Sequence, residues 1–250
     1  SEFMGELIWS KATVVKSYFR GCTFNAEIDF RNVRFEQGAD YTGVTCEAST
    51  DFFATRFRGD TSFAEAIFKA ENKFNSATFG ADSTFSSAQF IGATTFRKST
   101  SSQAVDFTDV VFKTCPEFRF ADFEHECDFA ETMFEKGANF RSTSFGTETS
   151  FRKAIFRTET TFKNAVFDGE VRFYKTQFYG ELDFKGAVFA ADSWFGYASF
   201  AEDVQFSSPY GDGNWTLFEN KAEFPNVSFK SLARFKGVKF KNGVDFSEVI

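Results

Sequence analysis

The sequence predicts an all-β solenoid, one short strand-and-turn unit stacked on itself along nearly the whole chain. Three observations carry this: an excess of phenylalanine, an aromatic period of eleven residues, and a two-residue alternation around each aromatic. Phenylalanine supplies 41 of 250 residues, a skew that points to one short unit copied many times. The aromatic series starts at Phe19, Phe24, Phe30 and Phe35, then reads Tyr41, Cys46, Phe52, Phe57, Phe63 and Phe68. It continues in alternating steps of five and six to Phe206, resumes at Phe218 and ends at Phe246. Only Tyr41, Cys46 and Ser101 stand in the series without being Phe.

Each aromatic ends a strand. Two residues before it stands a small or β-branched side chain, such as Ala66, Ala77, Ala88, Val105, Thr132, Ala154 and Val171, and the flanking positions are mostly polar. Positions i−2 and i therefore face one way and i−1 and i+1 the other, which is strand alternation over a very short segment. Helix is excluded because steps of five and six scatter the aromatics around a helical wheel instead of lining one stripe. The eleven-residue period matches a right-handed coiled coil only in arithmetic, since that structure needs core steps of three and four. Short strands with a turn every five or six residues remain.

These units resemble pentapeptide-repeat proteins, whose loose consensus puts a small residue at i−2 and Leu or Phe at i. Phe63-Ala64-Glu65-Ala66-Ile67-Phe68 and Phe85-Ser86-Ser87-Ala88-Gln89-Phe90 carry the likeness, which covers residues 19–246. The resemblance implies a right-handed quadrilateral β-helix with four short faces per coil. The departure is an extra residue in every second unit, giving about ten coils of about 22 residues, with that residue expected to bulge at alternate corners. Stacked coils pair at about 4.8 Å, each buried Phe contributes roughly 1.5–3 kcal/mol, and the rod is expected to be about 50 Å long.

Residues 1–4 read as a cloning remnant ahead of the repeat, and residues 5–18 lose the register and read as an N-terminal cap built on Leu7, Ile8, Trp9, Val14 and Val15. Residues 19–250 form the repeat, with a seven-residue loop insertion near 207–216 that contains Pro209, Tyr210, Gly211, Asp212, Gly213, Asn214 and Trp215. Its Gly-Asp-Gly-Asn core is turn chemistry, and loops on rigid scaffolds often carry function. Tyr210, Asp212 and Trp215 are therefore candidate partner-binding residues, unless Tyr210 and Trp215 fold back over a neighbouring coil. The repeats run almost to Ile250 with no cap, so either two rods meet end to end there as a homodimer or the chain continues in a longer protein.

The net charge of −7, from 35 acids and 28 bases, disfavours direct nucleic-acid binding and acidic membranes. No apolar run approaches the ~18 residues of a membrane span, and four irregularly spaced cysteines fit a reducing compartment, so a cytoplasmic location is expected. Catalysis is not expected. His125 is the only histidine, and its spacing from Cys115 and Cys127 matches no common zinc arrangement. Cys22 and Cys46 read as buried filler, the convex wall offers no pocket to tune a carboxylate pair, and neither a cofactor nor a metal is expected.

One outward column stands out. Every 22nd residue just after an aromatic reads Arg97, Arg119, Arg141, Lys163 and Lys185, with Arg31 in the same column. These five basic residues are candidate partner-binding residues for an extended anionic protein segment, unless Glu117, Asp183, Glu159 and Glu181 neutralise them. The expected function is a non-enzymatic scaffold for protein–protein interaction through its outer faces or loop. The alternative, implied by the resemblance, is an acidic rod that mimics DNA and binds DNA gyrase, as in fluoroquinolone resistance. Lys73, Thr95, Asn139 and Thr161 interrupt the acidic column Asp29, Asp51, Glu117 and Asp183 and weigh against that alternative. An ice-binding surface is disfavoured because the column Thr84, Asp106, Asp128, Ser150 and Arg172 is no threonine ladder.

Overall fold

In the computed structural model, which describes residues 1–207 and 215–250, the aromatic series becomes four walls of parallel, mostly two-residue strands. Each strand pairs with its equivalent on the next coil, 22 residues on, as Asp51 does with Lys73 and Phe57 with Phe79. Wall 1 runs from Glu2–Phe3 to Ser228–Phe229, wall 3 from Thr13–Val14 to Lys239–Phe240, and wall 4 from Ser17–Tyr18 to Val244–Asp245, each with eleven strands. Wall 2, from Leu7–Ile8 to Ala233–Arg234, divides into sheets of five and four strands. Single bridges from Thr95 to Glu117, Glu117 to Asn139 and Asn139 to Thr161 join them. Pro116 accounts for the first of the two interrupted coils. At the equivalent position Thr50 and Asn72 donate N–H to Glu71 O and Ala93 O of the next coil, and proline has no N–H to donate. On the second interrupted coil the Ala138 N–H bonds the Thr160 hydroxyl instead of the next backbone.

The alternation sends the aromatics inward, where they stack in columns. Phe52, Phe74, Phe96 and Phe118 lie 4.8, 4.8 and 4.9 Å apart between centroids, with planes within 5° of parallel. Neighbouring columns meet edge to face, as Phe63 meets Phe74 at 83°, the arrangement that ring quadrupoles favour. Small i−2 residues such as Ala66, Ala77 and Ala88 are wholly buried beside them. Where i−2 is threonine on walls 1 and 3, its hydroxyl donates to an aromatic residue's carbonyl on the previous coil: Thr55 to Phe30 O at 2.6 Å, Thr132 to Phe107 O at 2.6 Å, Thr143 to Phe118 O at 2.8 Å. Ser101 takes its place in wall 3 between Phe79 and Phe123 and is fully buried.

Alternate corners differ, which is how a 22-residue coil closes. Five-residue steps turn through a left-handed residue two positions after the aromatic. Seventeen non-glycine residues from Lys11 to Glu248 sit there with φ of 54–62°. Six-residue steps make wider corners where successive backbones nearly touch. A Cβ on Gly146 would lie 2.0 Å from Glu124 O, and one on Gly169 1.9 Å from Thr147 O, so only glycine fits at these two positions.

The rod has eleven coils rather than about ten, because residues 2–18 form a coil of their own. Glu2, Leu7 and Thr13 pair 21 residues on with Thr23, Ile28 and Arg34, whereas Ser17 pairs with Ala39. One residue is thus missing between Val14 and Ser17, which is why the segment loses the register. Phe3 stacks on Phe24 at 4.9 Å and Trp9 on Phe30 at 5.2 Å. Near the other end Val188 pairs with Leu217 and Phe189 with Phe218, seven residues beyond the usual step. An antiparallel bridge between Ser207 and Trp215 closes the base of this insertion. Thr216 donates to Phe184 O, as Thr55, Thr132 and Thr143 do to the aromatic carbonyls one coil back, so the wall resumes at once.

Candidate functional site

The tight corner between walls 2 and 3 carries the basic column as one line. Its five carbonyls accept N–H groups from the preceding coil: Ser76 to Arg97, Lys98 to Arg119, Phe120 to Arg141, Ser142 to Lys163 and Asn164 to Lys185, at 2.9–3.2 Å. Two of the cations are neutralised by a flanking acid, Arg119 by Glu117 at 3.2 Å and Lys185 by Asp183 at 3.2 Å. Arg97, Arg141 and Lys163 have no acid within ion-pair distance among the described residues. Farther toward the N-terminus Arg31 pairs with Asp29 at 2.6 Å and holds that carboxyl below its ordinary value of 3.8 through this hydrogen bond.

Two of the three phenylalanines outside the aromatic series lie on this same edge. Phe53 occupies the basic column itself and is 43% exposed. Phe120, next to Arg119, is 47% exposed and holds φ at 60°, a conformation that is a genuine outlier for a bulky residue. Counting aromatics by register hides both, and their failure to fit the register is the signal that finds them.

Wall 4 carries the opposite charge. Residues 38–43, 60–65, 82–87, 104–109 and 126–131 contain Asp40, Asp60, Glu65, Asp82, Asp106, Asp109, Glu126, Asp128 and Glu131, with no Lys or Arg. Asp40 pairs with Arg20 at 3.1 Å and Glu131 with Lys153 at 2.7 Å. The other seven have no ion-pair partner among the described residues. Their wall is hollowed into an open groove of about 500 Å³ lined by Ala39, Asp60, Ser62, Asp82, Thr84 and Asp106. The groove exists because small side chains follow one another up the wall. Beyond it the wall changes character: Arg172 bridges Glu148 and Glu170, and Lys221 lies over the Trp194 ring.

A family profile for pentapeptide repeats, written as 9 copies, matches residues 10–56, 129–177, 140–188 and 162–208, more than half of the chain. This chain belongs to the pentapeptide-repeat family. No curated protein matches it significantly. In this pentapeptide-repeat protein only one of the remaining candidates, Trp215, is among the described residues. Tyr210 and Asp212 lie outside the described residues. Trp215 is 39% exposed and leans back on the next coil, in contact with Gly237 and with Lys239 Nζ 5.6 Å from its ring.

Cys115 belongs to wall 2 and His125 to the corner before wall 4, so the two do not converge on one site. All four cysteines are unbridged. Burial pushes the Cys46 thiol up to about 12 and Cys115 up to about 11, and raises Cys127 well above the ordinary value, so these thiols stay protonated near neutrality. No described helix is long and apolar enough to cross a membrane.

Proposed function

We propose that this pentapeptide-repeat protein is a non-enzymatic scaffold that binds an extended acidic segment of a protein partner along its basic edge. The observation that carries this reading is the line of Arg97, Arg141 and Lys163, unpaired among the described residues, beside an exposed Phe120. Stacked like charges repel by about 1 kcal/mol or less per neighbour in water, and arginine with an exposed aromatic is the composition of interface hot spots. Unbridged cysteines fit a reducing compartment such as the cytoplasm. Reversal of the line in Arg97→Glu, Arg141→Glu and Lys163→Glu is expected to abolish capture of a polyglutamate peptide and leave the melting temperature unchanged. Phe120→Asn is expected to weaken a folded acidic partner and spare the peptide. Undiminished peptide binding by the reversed variant refutes the reading.

The acidic wall favours a second reading, a rod that mimics DNA and binds DNA gyrase. The acidic residues of wall 4 over five coils, seven of the nine without an ion-pair partner among the described residues, favour a more continuous negative surface than the column Asp29, Asp51, Glu117 and Asp183. Protection of purified gyrase from a fluoroquinolone by the parent chain, lost in Asp60→Asn, Asp82→Asn and Asp106→Asn, is the result this reading requires.

A further inference from the structure

On most of the rod, outward charges balance up the columns. Glu36 meets Arg58 at 2.9 Å, Glu47 meets Lys69 at 2.8 Å, Glu135 meets Lys113 at 2.6 Å and Glu219 meets Lys241 at 3.0 Å, each pair one coil apart. Two arrays break that rule. The basic edge holds unpaired cations over coils that include Arg97, Arg141 and Lys163, and wall 4 holds unpaired acids from Asp60 to Asp128. Wall 4 lies across the coil from wall 2, so the two arrays face different sides of one molecule.

Their shapes complement each other as well as their charges. The edge is a tight convex corner from which Phe53 and Phe120 project, 43% and 47% exposed. The acidic wall is a groove of about 500 Å³ lined by Asp40, Asp60, Asp82 and Asp106 among small side chains, with Lys16 and Tyr18 of the first coil at one end. Spacing selects the occupant. Both arrays repeat once per coil, about 4.8 Å, whereas same-side residues of an extended peptide repeat every two residues, about 6.8 Å. A second coil has the same pitch, so acids one or two coils apart on it can meet Arg97, Arg141 and Lys163 in step, although Asp60, Asp82 and Asp106 do not share one column; an extended segment can meet the same cations at fewer points.

We propose that the basic edge of one copy docks in the acidic groove of wall 4 on a second copy, with the rods side by side. This inference rests on the reading of the basic edge as an interaction surface and names a partner for it. The contact uses a different surface on each copy, so a pair retains one free edge and one free groove. The assembly is therefore open and grows with concentration. Being driven by facing charges, it weakens as salt is added.

Sedimentation velocity on the intact chain tests this. At low salt the mean mass is expected to rise with concentration, and at about 1 M salt, where the Debye length is about 3 Å, to return to the monomer. Two variants, each checked for an unchanged melting temperature, separate the surfaces: Arg97→Glu, Arg141→Glu, Lys163→Glu on the edge, and Asp60→Asn, Asp82→Asn, Asp106→Asn in the groove. Each alone is expected to stay monomeric, and the mixture to form one-to-one pairs and stop there, because each variant supplies the surface the other lacks. A parent monomeric at low salt, a variant that associates like the parent, or a mixture without pairs overturns the proposal. So does a mass that grows as salt is added, since that marks apolar stacking of the coil ends. Polyglutamate capture by a parent that does not self-associate leaves the proposed function standing and removes this inference alone.

Discussion

Ser101 is a polar side chain in a column that phenylalanine otherwise fills. Phe79 and Phe123 lie one coil to either side of it, and its hydroxyl turns back to bond Gln103 O instead of filling the core. Ser101→Phe is expected to raise stability by about 1 kcal/mol or more in thermal unfolding, since a buried Phe contributes roughly 1.5–3 kcal/mol and the lost hydrogen bond offsets part of that. A fall in stability would mean that neighbouring rings have already closed the space. At the surface, Asp29 reports on pH. Arg31 depresses its folded pKa below 3.8, so its contribution is complete above that value and is lost as pH falls through the folded value. The melting temperature of Asp29→Asn is expected to lie below the parent's near neutrality and to converge on it as pH drops below about 3.8. A gap that persists in acid removes the ion pair as its cause.

At the scale of strands and corners, the buried threonines test what joins one coil to the next. Thr143→Val keeps the volume and removes one of two hydrogen bonds to the Phe118 carbonyl, which still accepts the Ala121 N–H, so the expected cost is about 0.5–1.5 kcal/mol in denaturant unfolding. A loss well above that range would mean that the Ala121 bond fails along with the hydroxyl's. The walls themselves were legible in the sequence, because a centre every five or six residues is the wall written out, and the insertion showed as a twelve-residue gap between Phe206 and Phe218. The first coil was not legible, since the residue missing between Val14 and Ser17 moves Phe3 and Trp9 off the count although they stack like the rest. Nor was the break in wall 2, which depends on the absent N–H at Pro116 and on the Ala138 N–H bonding the Thr160 hydroxyl. The basic edge could be read because its cations share one column. The acidic wall escaped because its acids change columns from coil to coil, Asp60 and Asp82 three residues before the aromatic, Asp106 and Asp128 one before, Glu65 and Glu131 two after. Only the folded coil gathers those columns onto one side.

Across the whole molecule, one sequence period fixes the core, the corners and the spacing of every outward charge, so surface chemistry in this protein comes as rows rather than pockets. The same geometry has a mechanical consequence. Hydrogen bonds such as Asn72 N–H to Ala93 O and Phe74 N–H to Thr95 O join one coil to the next, and so they point along the rod. A pull between the two ends therefore opens them by peeling, a few at a time, instead of shearing a whole sheet at once. Each released coil of 22 residues lengthens the chain by about 70 Å, the extended length less one strand spacing. Extension between the termini in an optical trap is expected to give a sawtooth of low, nearly equal force peaks at that interval, with one longer step where the seven inserted residues come free. A single high-force rupture would show that the columns of stacked rings fail together and that the rod behaves as one brittle body.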